Sequence, residues 1–258
     1  MGAILNAAAE LWAPLASIAL CAARLLPIVF LCPLFGGRVA PTPVRLGVVL
    51  SVSGLLHLVC GVSAPLSIDG AWRLVGGVLK ESGYGTFLGL LASLPFEGAK
   101  MGGAMMDVFR GASSEAALPG VGAKDAPSSE LLHQLLLAVA TAELSPIFLN
   151  ALLRTFVSAP LGLASASAVN VQQVLTWAGD TLAFALALGA PVAAVSLCID
   201  LALGAVARGT GLSLFDSGLA LKPWLGGFVL YASLSIVADR WVRHAEMVPF
   251  LGASGVSP

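Results

Sequence analysis

The chain has 258 residues, of which 58% are hydrophobic types and only 10% are Asp, Glu, Lys or Arg, and its mean hydropathy is +0.94. A soluble domain carries about 25% charged residues, so the composition excludes an ordinary soluble enzyme, a disordered chain and a coiled coil and points to an outer surface that meets lipid or apolar protein. The formal net charge is −1, which leaves no basic field for nucleic acid.

A first apolar stretch runs over about 11–35, contains Arg24 and ends in Pro33-Leu34-Phe35-Gly36-Gly37. It is longer than the h-region of a secretory signal, and no Lys or Arg precedes it, so it does not read as one. A turn region with Pro41 and Pro43 leads to a second run over about 46–62, whose only ionisable group is His57, and Pro65 and Asp69 mark the next loop. From 72 to 109 the pattern is helical, interrupted at Lys80-Glu81 and again at Pro95, Glu97 and Lys100. Residues 110–130 read as the clearest loop, rich in Ser, Gly, Ala and Pro with charges of both signs. A helix follows over about 131–156, broken at Pro146. Residues 160–170 are small and polar, and the long apolar reach over 171–206 is expected to fold into two helices at Pro191. A loop over 207–222 precedes a last span over about 223–241.

A helix needs about 20 residues to cross a hydrocarbon core, and several runs reach that length, but most carry a Pro, a Gly pair or a charge near the middle. The expected fold is all-α: membrane-associated helical hairpins and broken helices, because irregular backbone at membrane depth survives only where protein or a cavity surrounds it. Lys and Arg occur in nearly every loop, so the positive-inside rule assigns no topology.

Small residues recur at four-residue spacing in Gly85, Gly89 and Ser93, then in Gly98 and Gly102, which predicts close helix packing. Ionisable groups in apolar runs persist when they are paired or line water; Arg24, Lys80, Glu81, Glu97, Lys100, Glu143, Asp180 and Asp200 are of this kind. Glu97 and Lys100 can pair along one helix face, whereas the adjacent Lys80 and Glu81 diverge and need other partners. A hairpin at Pro191 would bring Asp180 and Asp200 together, where two carboxylates could share a proton. Met101 and Met105 lie on one face and offer deformable packing. Cys21, Cys32, Cys60 and Cys198 sit in apolar runs without metal-ligand spacing and read as small buried hydrophobes. His57, His133 and His244 are far apart, and no catalytic constellation, cofactor motif or metal site is predicted.

The ordered set Arg24-Leu25-Leu26-Pro27, Pro33-Leu34-Phe35-Gly36-Gly37, Pro43-Val44-Arg45, Lys80-Glu81 with Gly83 and Gly89, Leu94-Pro95-Phe96-Glu97-Gly98-Ala99 with Gly102 or Gly103, and Asp107 with Arg110-Gly111-Ala112 resembles the T subunit of the type III secretion export gate, called SpaR, YscT or HrcT in injectisomes and FliR in flagella. It covers residues 20–115 best, and the Asp107…Arg110-Gly111-Ala112 form is closer to the injectisome branch. After that only hydropathy and the Leu221-Lys222-Pro223 turn fit; the family's Pro-Gln pair and Asn-Val-Phe-like turn are replaced by Arg208-Gly209-Thr210-Gly211-Leu212-Ser213-Leu214-Phe215.

The resemblance implies a single non-enzymatic, pore-forming subunit over 1–258, buried in a hetero-oligomeric cone at the bacterial inner membrane, largely above the bilayer plane. It implies R and S subunits, an export-switch protein and a large nonameric gate protein as partners, unfolded secreted proteins as cargo, contact with membrane lipid, and no cofactor. By position it makes 110–130 a polar plug-like loop. Residues expected to act in gating or assembly are Arg24, Lys80, Glu81, Glu97, Lys100, Met101, Met105, Asp107, Arg110 and Gly111. The competing expectation is a small secondary transporter with Asp180 and Asp200 at a broken-helix site.

Overall fold

The computed structural model of the chain describes residues 2–35, 40–64, 71–110, 127–162, 171–210 and 215–247. Every regular element among them is helical, as expected. Helix α1 spans Gly2–Leu31 and runs into a tight turn at Pro33–Phe35; α2 is Thr42–Leu58, α3 Ala71–Phe109, α4 Pro127–Val139, α5 Ser145–Ser158, α6 Val171–Thr210 and α7 Phe215–Met247.

The sequence breaks are mostly absorbed inside helices. α3 passes through Lys80-Glu81 and Pro95 without ending, and α6 passes through Pro191. An interior proline removes one N–H and crowds the preceding turn, at about 3 kcal/mol. Packing offsets this here: Leu188 and Val192, on either side of Pro191, are both core residues. The Pro95 carbonyl accepts a buried hydrogen bond of 2.9 Å from Trp241 Nε1. The two helices expected from a fold at Pro191 are therefore one. The break expected at Pro146 is a widened, π-type turn at Ala140–Leu144 joining α4 to α5, with the proline in the first turn of α5, where its missing N–H has no helical partner to lose. The loop expected over 207–222 is largely helical, since α6 reaches Thr210 and α7 starts at Phe215. α4 starts at Pro127, inside the loop expected over 110–130; residues 111–126 lie outside the described residues.

The chain divides into two compact units. The first comprises 1–93, 144–174 and 247–258, and its core is built from Leu20, Cys21, Leu25 and Ile28 of α1, Val49 and Leu56 of α2, and Phe148, Leu152 and Phe156 of α5. Ser17 Oγ accepts the Ala64 N–H at 2.9 Å, which ties the chain after α2 to α1. The second unit comprises 94–143 and 175–246. Its core gathers Met106, Leu132, Leu188, Val192, Leu230 and Val237 from α3, α4, α6 and α7. Phe96 meets Trp241 edge-on at 5.1 Å there.

By length and composition, three helical stretches among the described residues can cross a membrane: Trp12–Leu31, Ser128–Ser158 and Val174–Thr210. A fourth is present if Lys222–Leu234 and Ile236–Ala245, which meet at 58°, form one span. Large apolar side chains stand outside the cores, with Trp72 88%, Trp224 83% and Leu58 80% exposed. A surface of this kind is built to be covered by something apolar.

Candidate functional site

In the first unit the site grows from a close helix crossing. A Cβ on Gly85 would lie 2.1 Å from the Arg24 carbonyl oxygen, and one on Gly89 would lie 3.1 Å from Ile28 Cα and the Pro27 oxygen. Only residues without a side chain let α3 lie this close to α1. The approach brings Arg24 within reach of Glu81, one turn before Gly85. Arg24 Nε donates to Glu81 Oε2 at 2.6 Å, and both side chains are fully buried. Both partners also hold backbone of one segment. Arg24 Nη1 donates to the Thr155 carbonyl near the end of α5 at 3.0 Å, and the Gly162 N–H donates to Glu81 Oε1 at 2.7 Å. A cation beside the last carbonyls of a helix is favoured by the helix dipole. Gly162 has φ +76°, a left-handed conformation natural to glycine. The guanidinium also lies 4.6 Å from the Phe156 ring centroid and 5.1 Å from that of Tyr84, a cation–π contact on each. Burial raises the Tyr84 phenol above its ordinary pKa, against the lowering effect of Arg24. Arg24 Nη2 is buried without a hydrogen-bond partner.

A second buried carboxylate organises the other unit. Asp107 is fully buried and takes Arg110 through Nε at 3.0 Å and Nη2 at 2.5 Å, both on Oδ1. Its Oδ2 accepts the Ser128 N–H at 2.8 Å. A negative charge thus satisfies a free donor in the first turn of α4. A Cβ on Gly103 would lie 2.6–2.7 Å from Ser128 and Ser129 backbone, so α3 and the start of α4 touch. One carboxylate therefore joins Arg110, just before the stretch 111–126, to Ser128, just after it. Asp107→Ala would leave the buried Ser128 N–H unpartnered, at about 1–3 kcal/mol. The expected outcome is a lower unfolding midpoint in detergent; an unchanged midpoint would mean that water replaces the carboxylate.

The other sequence-expected residues are more dispersed. Lys80 is exposed and takes no part in the Glu81 contacts. Glu97 and Lys100 pair at 3.5 Å as expected, but Glu97 is half exposed. Exposed pairs of this type contribute about 0.2–1 kcal/mol, so Glu97→Ala is expected to leave the unfolding midpoint of the chain nearly unchanged. A large drop would show that the pair is covered. Met101 is exposed, Met105 packs beside Gly189, and Met106 is the methionine that enters the core. Gly111 lies outside the described residues. Gly85 and Gly89 against α1, and Gly98 and Gly102 against Thr181 and Leu188 of α6, bear out the close packing read from the small-residue spacing.

Two expectations are corrected. Asp180 and Asp200 do not meet: on one continuous α6 their twenty-residue separation is about 30 Å. Asp200 pairs instead with Lys222 of α7 at 2.5 Å. The transporter site built on a shared proton falls with the hairpin it required. Of the four cysteines, Cys21 and Cys32 are buried, but Cys60 and Cys198 are exposed. Burial pushes the Cys32 thiol up to about 12, which keeps it protonated and inert. No group of His, Cys, Asp or Glu suited to a metal ion occurs among the described residues.

The family described as bacterial export proteins, family 1, matches residues 15–248. The chain belongs to this family, that of FliR, YscT, HrcT and SpaR. The match extends the resemblance from the first 115 residues through the C-terminal half, the departure at 208–215 included. No curated protein matches the sequence. In this export protein the residues around both buried carboxylates, Arg24, Glu81, Asp107 and Arg110, fall within the family region.

Proposed function

We propose that the chain is a non-enzymatic, pore-forming subunit of a type III secretion export gate in the bacterial inner membrane. The match to the bacterial export family over 15–248 carries this reading. The apolar surface left uncovered on the chain supports it, since such a surface suits a subunit that assembles. In this reading R and S subunits cover that surface, an export-switch protein and a large nonameric gate protein adjoin it, and unfolded secreted proteins are the cargo. The two buried carboxylate clusters hold the helices in the shape the assembly requires.

Co-expression with the short hydrophobic R and S subunits and purification in mild detergent tests the assembly. A stable complex of mixed stoichiometry is expected, with degraded or aggregated material when the chain is made alone. A monodisperse monomer that ignores the other subunits overturns the reading. The sealing role that this reading gives the polar loop 110–130 has its own test. Deleting about Ser113 to Ala126 is expected to leave assembly intact and make cells leaky to small ions; a tight membrane would make the segment a connector only.

A further inference from the structure

The first half of α3, which lies wholly in the first unit, has two faces of opposite character. One is closed by α1: Glu81 and Gly85 meet Arg24, Gly89 meets Ile28, and Leu88 and Ala92 are buried. The other carries Trp72, Val75, Leu79, Thr86 and Leu90, all exposed, with Ser82 among them. Steps of three and four residues keep this set on one side of the helix, the seam of a helix that packs on another helix. Thr86 Oγ1 donates to the Ser82 carbonyl at 2.8 Å, so its hydroxyl proton is already taken up within α3. Gly83, in the same seam, has open space around it, and an alanine methyl there fits beneath a helix at the usual spacing of about 8–10 Å. From Trp72 to Leu90 the face runs about 27 Å.

Lys80 stands on the edge of this face, exposed and without an ion-pair partner among the described residues. Arg73, two turns earlier, lies on the same edge. Between Asp69 and Glu97 the only acid is Glu81, which is turned the other way and held by Arg24. The edge is therefore positive, and this half of α3 has no acid to answer it.

That charge pattern selects among the possible coverings. Water does not suit a continuous face on which Trp72 is 88% and Leu79 69% exposed. Lipid does not suit it either. Lys80 stands about 12 Å from Trp72 and about 15 Å from Leu90 along the axis, too central for its ammonium to reach a membrane boundary. The stretches among the described residues that are long and apolar enough to cross a membrane do not include α3. A second copy presenting the same face brings the same positive edge and no acid.

We infer that the face of α3 from Trp72 to Leu90 is the docking site for an apolar helix of another subunit, one that carries an Asp or Glu level with Lys80. The apolar side chains of that helix cover Trp72, Val75, Leu79 and Leu90, and its carboxylate meets the Lys80 ammonium where water is excluded. The ion pair sets which helix fits, because a helix without the acid leaves an ammonium covered and unpaired. The source of the helix, another subunit of the assembly, rests on the export reading.

The full chain, co-expressed with the R and S subunits and purified in mild detergent, is the test material. A benzophenone amino acid in place of Leu79 is expected to cross-link on irradiation to a segment of another subunit with an Asp or Glu within one helical turn of the adduct. Lys80→Glu is expected to lower the yield of complex by about tenfold or more, while Lys80→Arg, which keeps the charge, stays within about twofold of the wild type. Exchanging the partner's acid for lysine should restore the Lys80→Glu complex. The cross-link is read with Lys80 intact, so it decides the matter even where the Lys80→Glu chain does not accumulate. An adduct with lipid alone, with the chain itself or with a second copy, or no adduct in a complex of normal yield, overturns the inference and leaves the export reading standing. A Lys80→Glu complex of wild-type yield does the same. A wild-type chain that forms no complex overturns the export reading and this inference with it.

Discussion

Arg24→Ala is expected to destabilise the chain by about 3–5 kcal/mol, the usual result of removing one partner of a buried ion pair. Folded domains have only about 5–15 kcal/mol in total, so little folded chain should accumulate. The loss comes from what is left behind. Without the guanidinium, the fully buried Glu81 keeps a single partner, the Gly162 N–H, and the Thr155 carbonyl loses a donor. Glu81→Ala should be similarly damaging, because it strands Arg24 between two aromatic rings. Arg24→Lys keeps the charge but not the planar fork that reaches Glu81 and Thr155 together, so it should restore only part of the loss. Replacing both partners, as in Arg24→Met with Glu81→Leu, should be milder than either single alanine, since no buried charge is then left unpaired. Urea or thermal unfolding of the detergent-solubilised assembly, followed by protease resistance, measures all four. Single variants that unfold with the wild-type midpoint would mean that the pair is open to water.

Gly85→Ala and Gly83→Ala should move stability in opposite directions although they lie two residues apart on one helix. A methyl on Gly85 would stand 2.1 Å from the Arg24 carbonyl oxygen, so α1 and α3 must separate. Overpacking typically costs about 1–3 kcal/mol, and a clash with backbone belongs at the upper end because no side chain can turn aside. The separation also pulls Arg24 from Glu81, so the effect should exceed the steric term alone. Around Gly83 a Cβ would meet nothing within 4 Å. Alanine there gains about 0.8–1.0 kcal/mol of helix propensity. The same unfolding assay separates the two; a neutral Gly85→Ala would show that the helices cross at a wider spacing.

Much of this was readable along the chain. Low charge and long apolar runs dictated an all-helical fold with membrane-length segments, because a backbone in an apolar setting must satisfy its own hydrogen bonds. The four-residue spacing of Gly85 and Gly89, and of Gly98 and Gly102, marked where helices touch, since missing side chains on one helical face leave room for a neighbour. The spacing of Glu97 and Lys100 showed a pair along one face, because three residues return nearly a full turn. Each of these signals is local, so a single sequence carries it.

The partners that cross the fold were not legible. Arg24 and Glu81 stood out as charges in apolar runs, but nothing in the sequence joins two residues 57 positions apart. Their other partners, the Thr155 carbonyl and the Gly162 N–H, are backbone groups that any residue type would supply. Asp107 binds Ser128 through a backbone N–H for the same reason. Pro191 read as a break because proline opposes a helix locally, yet buried neighbours on both sides of it outweigh that preference and keep α6 whole. That continuity moved Asp180 and Asp200 from one shared site to two ends about 30 Å apart. Residue types along the chain mark which groups are too polar for their apolar neighbours; what answers each of them is set by packing, because burial and partnership depend on helices that meet from distant parts of the chain.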